Sequence, residues 1–165
     1  MLQLADALMM DGVLNKGREL GKSVALHSDA GCEMQDWHMD FNPLCKRVRG
    51  QERECIRDLK ALEMPLGVFW AVEQGCKIML VGPDGESVEL RLELGDVLIF
   101  QGDLVHAGAA YLDGANMRVH TYLYASRVSK PVSDTYKLDD KVAFVPTRNC
   151  IVVRGRYGWR VIILI

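Results

Sequence analysis

Four residues scattered along the chain have the types and spacing to do chemistry together: His38 and Asp40 in Trp37-His38-Met39-Asp40, then His106, then Arg118. Two imidazoles and one carboxylate form the donor set that holds a non-haem Fe(II) on one face and leaves the opposite face open. Imidazole also suits Zn, Cu and Ni, so the donors alone do not choose the metal. Arg118 stands twelve residues past His106. Its planar fork matches a carboxylate in two places, which suits an acidic co-substrate beside the metal. The set points to oxygenase chemistry and says little about the substrate. An H-x-D pair alone is often only a surface strand with a local hydrogen bond. Its joint placement with His106 and Arg118, in a chain with four histidines, favours metal binding.

Strands are needed to bring these residues together. Side chains two apart on a strand point to the same side, so His38 and Asp40 can reach one ion and the third ligand must come from a distant strand. Gln35 to Phe41 reads as that first strand, ended by the Asn42-Pro43 turn signal. Ser23 to Ser28 reads as a strand before it. Leu66 to Glu73, Lys77 to Val81, Val88 to Leu94, Val97 to Phe100 and Arg118 to Ala125 read as strands after it, separated by Gln74-Gly75, Gly82-Pro83-Asp84-Gly85 and Gly95-Asp96. Arg118, His120 and Tyr122 alternate in phase and line one face. His120 reads as a polar neighbour of the site rather than a fourth ligand, and His27 as plain strand surface. Trp37 and Trp70 read as core, and Gln35 as a residue facing the site. One or two short helices are expected, from a weak helical stripe at residues 2–10 and a stronger one at 51–62.

Many short strands with Gly-rich turns predict an all-β, mainly antiparallel sandwich or barrel. At 165 residues the chain is one domain with room for a core, with 49% hydrophobic and 25% charged residues and a net charge of -2. That balance gives no electrostatic pull toward nucleic acid or membrane. The basic residues at 46–60 alternate with acidic ones, as on a solvated helix face. With the arginines of the last twenty residues they leave a nucleic-acid substrate open without favouring it. Five cysteines form no C-x-x-C pair, which fits free thiols in a reducing compartment. A poor signal peptide and no long apolar run predict a cytoplasmic or intracellular protein without a membrane anchor.

Gln35-Asp36-Trp37-His38-Met39-Asp40, followed by the segment from Gly95 through His106 to Gly108, resembles the Fe(II)/2-oxoglutarate-dependent dioxygenases. The likeness covers roughly residues 23 to 125. It implies a double-stranded β-helix, of the jelly-roll or cupin-like kind, over residues 1–145. It implies Fe(II) on His38, Asp40 and His106, with the distal carboxylate of 2-oxoglutarate on Arg118. The implied activity is hydroxylation or oxidative demethylation by dioxygen of a substrate the sequence does not name. The chain departs from the family pattern in having few residues before the first strand. It departs again at His120, where the family often places a serine or threonine two residues beyond its arginine. The segment after Asp140 matches no part of the family pattern; within it, residues 146–165 form a C-terminal tail that reads equally as a hairpin of Ile151–Val153 with Val161–Ile165 closing a sheet edge or as an unusual tail of uncertain packing. Two other readings stand beside this one: a non-catalytic cupin-like binding or structural module, and a metal enzyme that does not use 2-oxoglutarate.

Overall fold

The computed structural model describes residues 18–41, 64–82, 85–125, 136–137, 150–154 and 160–164. Both helical stripes lie outside the described residues, and what is described is strands and the turns between them. In chain order these are β1 (Arg18–Leu20), β2 (Val24–Ser28), β3 (His38–Met39), β4 (Leu66–Ala71), β5 (Cys76–Val81), β6 (Ser87–Leu92), β7 (Val97–Gln101), β8 (His106–Gly108), β9 (Asn116–Ala125), β10 (Tyr136–Lys137), β11 (Cys150–Arg154) and β12 (Arg160–Leu164). The strand expected at Gln35 to Phe41 is only His38–Met39; Asp40 and Phe41 already bend away.

The pairing order explains how distant ligands meet. β5 and β6 form the innermost antiparallel hairpin. Moving outward in sequence, β4 pairs β7, β3 pairs β8 and β2 pairs β9, all antiparallel. This makes one long two-stranded ribbon. The ribbon winds on itself, because β4 also pairs β9 and β5 also pairs β8. The result is a double-stranded β-helix: a seven-stranded sheet containing β1, β2, β9, β4, β7, β12 and β11 faces a five-stranded sheet ordered β10-β3-β8-β5-β6. Tight turns at Gly75, Gly85 and Gly95 have φ between 80° and 90°, which costs glycine little and strains other residues.

The core fills the space between the sheets. Phe69, Leu98 and Phe100 of the larger sheet pack against Cys76, Ile78, Leu80 and Leu92 of the smaller one. Val68, Val97 and Ile99, on the other face of β4 and β7, are buried as well. That is why these two strands read in the sequence as continuous apolar runs, whereas β6 alternates.

The C-terminal segment enters this scheme as an edge. β11 and β12 form an antiparallel hairpin, and β12 lies parallel to β7 with Ile162 opposite Leu98. Ile162 is buried in the main core cluster. Deleting residues 146–165 would expose the hydrogen-bonding edge of β7 and remove a core side chain of a type that costs about 2–5 kcal/mol to truncate. We expect the truncated chain to melt lower and to self-associate, read by thermal unfolding and gel filtration. Unchanged stability and solubility would contradict a structural role for the hairpin. No helix among the described residues is long and apolar enough to cross a membrane.

Candidate metal centre

β3 and β8 are neighbours in the smaller sheet, and His38 and His106 are directly opposite each other across them. Their rings lie 4.4 Å apart between centroids. Asp40 follows β3 at the bend and turns its carboxylate toward the same point. One ligand atom from each of His38, Asp40 and His106 lies within 4.8 Å of the other two. Two metal–ligand bonds of about 2.1 Å span at most about 4.2 Å, so small side-chain rotations bring the set onto one ion.

The tautomers suit ligation. His38 Nδ1 donates to the Asp36 carbonyl at 2.8 Å, and His106 Nδ1 donates to the Leu104 carbonyl at 2.9 Å. A carbonyl can only accept, so each Nδ1 carries the proton and each Nε2 is left with a free lone pair. His106 Nε2 sits 3.8 Å from Asp40 Oδ2, too far for a hydrogen bond. Asp40 Oδ2 is buried and has no hydrogen-bond partner. A carboxylate oxygen buried without a partner is costly, and a cation between it and the two imidazoles would satisfy all three donors. The residues therefore fit a divalent metal, and the mixed N/O set suits iron among others.

The floor of the site comes from β9. Its alternation turns Arg118, His120 and Tyr122 toward the space between the sheets, since their partners on β4 are Ala71, Phe69 and Gly67. His120 Nε2 lies 3.9 Å from Asp40 Oδ2 and has no hydrogen-bond partner. Its ring packs on Phe69 and on the edge of Tyr122, with centroids 4.6 Å away in each case. The Tyr122 hydroxyl donates to the Asp40 carboxyl, which favours the charged form. Arg118 is buried, at 4% exposure. It donates to Ser28 Oγ at 2.9 Å, and its guanidinium carbon lies 6.0 Å from the ring centroids of both Phe69 and Tyr111. Among the described residues it pairs with no carboxylate.

Burial dominates the electrostatics. It raises the Asp40 carboxyl to about 6, against the opposing pull of His38 and Tyr122. It lowers His106 to about 4 and His120 to about 3, the latter helped by His106 and Arg118. His38 is also lowered, by burial first and by His106 second. Neutral imidazoles are the form that ligates a metal. In the metal-free protein, lowered histidines give stability that is present above their unfolded value of 6.5 and lost as pH falls toward 4 and 3. The raised Asp40 has the opposite sign, favouring the fold as pH falls from about 6 toward 3.8. Several histidines outweigh one carboxylate. The thermal midpoint of the metal-free protein should fall on acidification from pH 6.5 to 4; a midpoint that rises over that window would contradict these environments.

The structure thus brings His38, Asp40 and His106 together and puts Arg118 on the inward face of the adjoining sheet. Other expectations resolve differently. Gln35 is exposed, and its Oε1 accepts from the Gly108 N–H at 3.0 Å rather than facing the site. Trp37 and Trp70 are half-buried, with Trp37 against the cluster of Met39, Val81 and Val105. His27 is exposed beside Asp29, as a surface residue. Ser28 and the Tyr122 contact to Asp40 were not singled out in the sequence. The available signal was parity: Ser28 follows Val24 and Leu26 in steps of two.

Fold and site together define a double-stranded β-helix carrying a His–Asp–His group that could hold a metal ion. No protein-family model matches the chain, and no curated protein matches it by sequence. Among solved structures, the non-heme monooxygenase ThoJ in complex with nickel is similar in fold. Its TM-score is 0.51 at 14% identity, over 88% of this chain and 60% of that one. A cupin domain from Bordetella pertussis Tohama I matches at 18% identity over 65% of this chain and 84% of its own, with a TM-score of 0.41. A cupin protein from Bacteroides fragilis matches at 15% identity over 79% and 92%, with a TM-score of 0.42. At these identities the likeness concerns the fold.

Proposed function

We propose that the protein is an Fe(II)- and 2-oxoglutarate-dependent dioxygenase that oxidises a substrate not yet identified. The observation that carries this reading is Arg118, a buried guanidinium without a carboxylate partner among the described residues, on the inward face of a barrel that also holds the triad. A buried unpaired cation is expensive and persists where an anion normally completes it. Arg118 stands two residues from His120 on one face of β9, about 7 Å along the strand. His120 in turn reaches the Asp40 carboxylate. That spacing suits a short dicarboxylate with one end at the metal and the other at the guanidinium.

His38, Asp40 and His106 would hold the iron. Bound there, the iron would supply dioxygen activation coupled to oxidative decarboxylation of the 2-oxo acid. The chain's own work is different. The Asp36 and Leu104 carbonyls fix the imidazole tautomers. Tyr122 orients Asp40. Arg118 binds and orients the co-substrate, and the Phe69–Phe100 stack, beside His120 and His106, excludes water from the inner side.

Thermal unfolding under anaerobic conditions tests the reading with Fe(II), 2-oxoglutarate, or both. A ligand that binds only the folded state stabilises by RT ln(1 + [L]/Kd). The shift with both should exceed the sum of the separate shifts, because each completes the other's site. Strictly additive shifts would argue against a shared site. A second reading has one observation in its favour: the unpartnered Nε2 of His120 near Asp40 is a further nitrogen donor. If His120 ligated the ion, fewer positions would remain open, and the protein would be a metal enzyme without 2-oxoglutarate. His120→Ala weakening metal binding as much as His106→Ala would favour that alternative.

A further inference from the structure

Gly67 is a glycine that its own backbone does not require. Among the described residues the glycines with left-handed φ are Gly31, Gly75, Gly85 and Gly95, all outside strands, whereas Gly67 lies inside β4 without such a φ. A glycine inside a strand weakens it and marks a close approach by a neighbour. The neighbour here is Phe100. A Cβ at position 67 would stand 2.6 and 2.8 Å from Cε2 and Cε1 of that ring, and closer still to Cζ. The ring therefore lies across β4, in the space that any side chain at 67 would need. We propose that Gly67 and Phe100 are a positioning pair for the metal centre. The glycine lets the ring lie across β4, and the ring in that place holds the His106 imidazole at the angle that aims Nε2 at the ion. This rests on the metal reading of the His–Asp–His group and not on the co-substrate.

Strand register puts the pair under the ligands. Gly67 has Phe100 opposite it on β7 and Tyr122 opposite it on β9. On the facing sheet, His106 has His38 on one side and Leu80 on the other. The glycine thus stands between the two aromatic residues that touch ligands: Tyr122, hydrogen-bonded to Asp40, and Phe100, whose ring centroid is 4.9 Å from that of His106. The Leu104 carbonyl fixes where His106 Nδ1 points. One hydrogen bond leaves an imidazole free to tilt about it. Packing opposes the tilt, with the His38 ring at 4.4 Å, Phe100 at 4.9 Å and Phe69 at 6.3 Å. His106 is 2% exposed and Phe100 0%, so neither ring has solvent to swing into. Ligands need side chains locked by packing to within about 0.5 Å and 10–20° of the productive geometry. With a methyl group at 67 the Phe100 ring must leave β4. Phe69 is stacked on it at 5.5 Å and is itself packed on His120 at 4.6 Å. The displacement then falls on His106.

The test uses the full chain and Co(II), whose visible spectrum reports ligand number and geometry without turnover. Gly67→Ala and Phe100→Leu should each weaken Co(II) binding by about 10–100-fold, the range for residues that support a ligand without touching the metal. Each should also change the visible bands of the bound ion. The double variant Gly67→Ala/Phe100→Leu should bind no more weakly than Phe100→Leu alone, because the methyl group has no ring left to displace. Val68→Ala is the control. Val68 is buried on the opposite face of the same strand, so its truncation should lower the thermal midpoint and leave Co(II) affinity and spectrum at wild type. Phe100→Leu creates no clash and carries the test alone should Gly67→Ala not fold. Wild-type affinity and spectrum in Phe100→Leu would overturn the proposal while leaving the metal site in place. Losses that add in the double variant would overturn it too, as would a loss in Val68→Ala equal to that in Phe100→Leu, since metal binding would then follow stability rather than ring position. A wild-type chain that binds no Co(II) would remove the metal reading itself, and the positioning pair with it.

Discussion

Asp40→Asn should abolish metal-induced stabilisation while leaving the metal-free protein at least as stable as wild type. The two effects have opposite signs because one buried atom carries both. The Asp40 side chain is 6% exposed, and Oδ2 has no hydrogen-bond partner. Burial raises its pKa from 3.8 to about 6. A shift of that size corresponds to about 3 kcal/mol against the charged form in the folded state near neutral pH. The amide is nearly isosteric, carries no charge and keeps an oxygen for the Tyr122 hydroxyl. It is a poor ligand, however. Loss of a direct donor should cost more than the 10–100-fold typical of residues that only support a ligand, so we expect a metal affinity drop above about 100-fold. His106→Ala is the contrasting case. It should lose metal to a similar degree and also lose stability, because it empties a fully packed position between Phe100 and His38. If Asp40→Asn destabilised the metal-free fold strongly, the carboxylate would have a structural role that this account does not give it. Thermal unfolding with and without metal separates the cases.

Arg118→Ala should do the reverse at the other end of the cavity: metal binding near wild type, and 2-oxoglutarate binding largely lost. Leaving a buried charge of the ligand without its partner costs about 2–5 kcal/mol, which is on the order of 30-fold to more than 1000-fold in affinity. Arg118→Lys should recover only part of the loss, since a single ammonium does not reproduce the fork. Calorimetric titration of metal first and co-substrate second measures both affinities on one sample. Equal loss of the two, or loss of neither, would remove Arg118 from the proposed role.

The strands that carry the site were legible where their patterns were strong. Val88 to Leu94 alternates and appears as Ser87–Leu92, and Val97 to Phe100 appears as Val97–Gln101. The inward phase of Arg118, His120 and Tyr122 also followed from period-two counting, and their strand is present as expected. The strand at His38 was read too long, because the apolar content of Trp37, Met39 and Phe41 masks a bend that begins at Asp40. Asp40 reaches the site from that bend. Gln35 was misread for a related reason: outside a regular strand, parity no longer predicts direction, and its amide is held by Gly108. Three features lay beyond the sequence altogether. The pairing of Ser28 with Arg118 depends on β2 joining β9 in one register. The 3.9 Å approach of His120 to Asp40 depends on the separation of two sheets. The parallel contact of β12 with β7 is a long-range pairing that no local pattern announces.

The most direct test of the central claim is an anaerobic titration of the metal-free protein with Fe(II), without and then with 2-oxoglutarate, followed in the visible region. The account predicts no visible band with Fe(II) alone. A weak charge-transfer band should saturate at one 2-oxoglutarate per chain, and Asp40→Asn and Arg118→Ala should each remove it at the same concentrations. Tight Fe(II) binding with no band at any 2-oxoglutarate concentration would contradict the account, leaving a metal site whose chemistry does not involve this co-substrate.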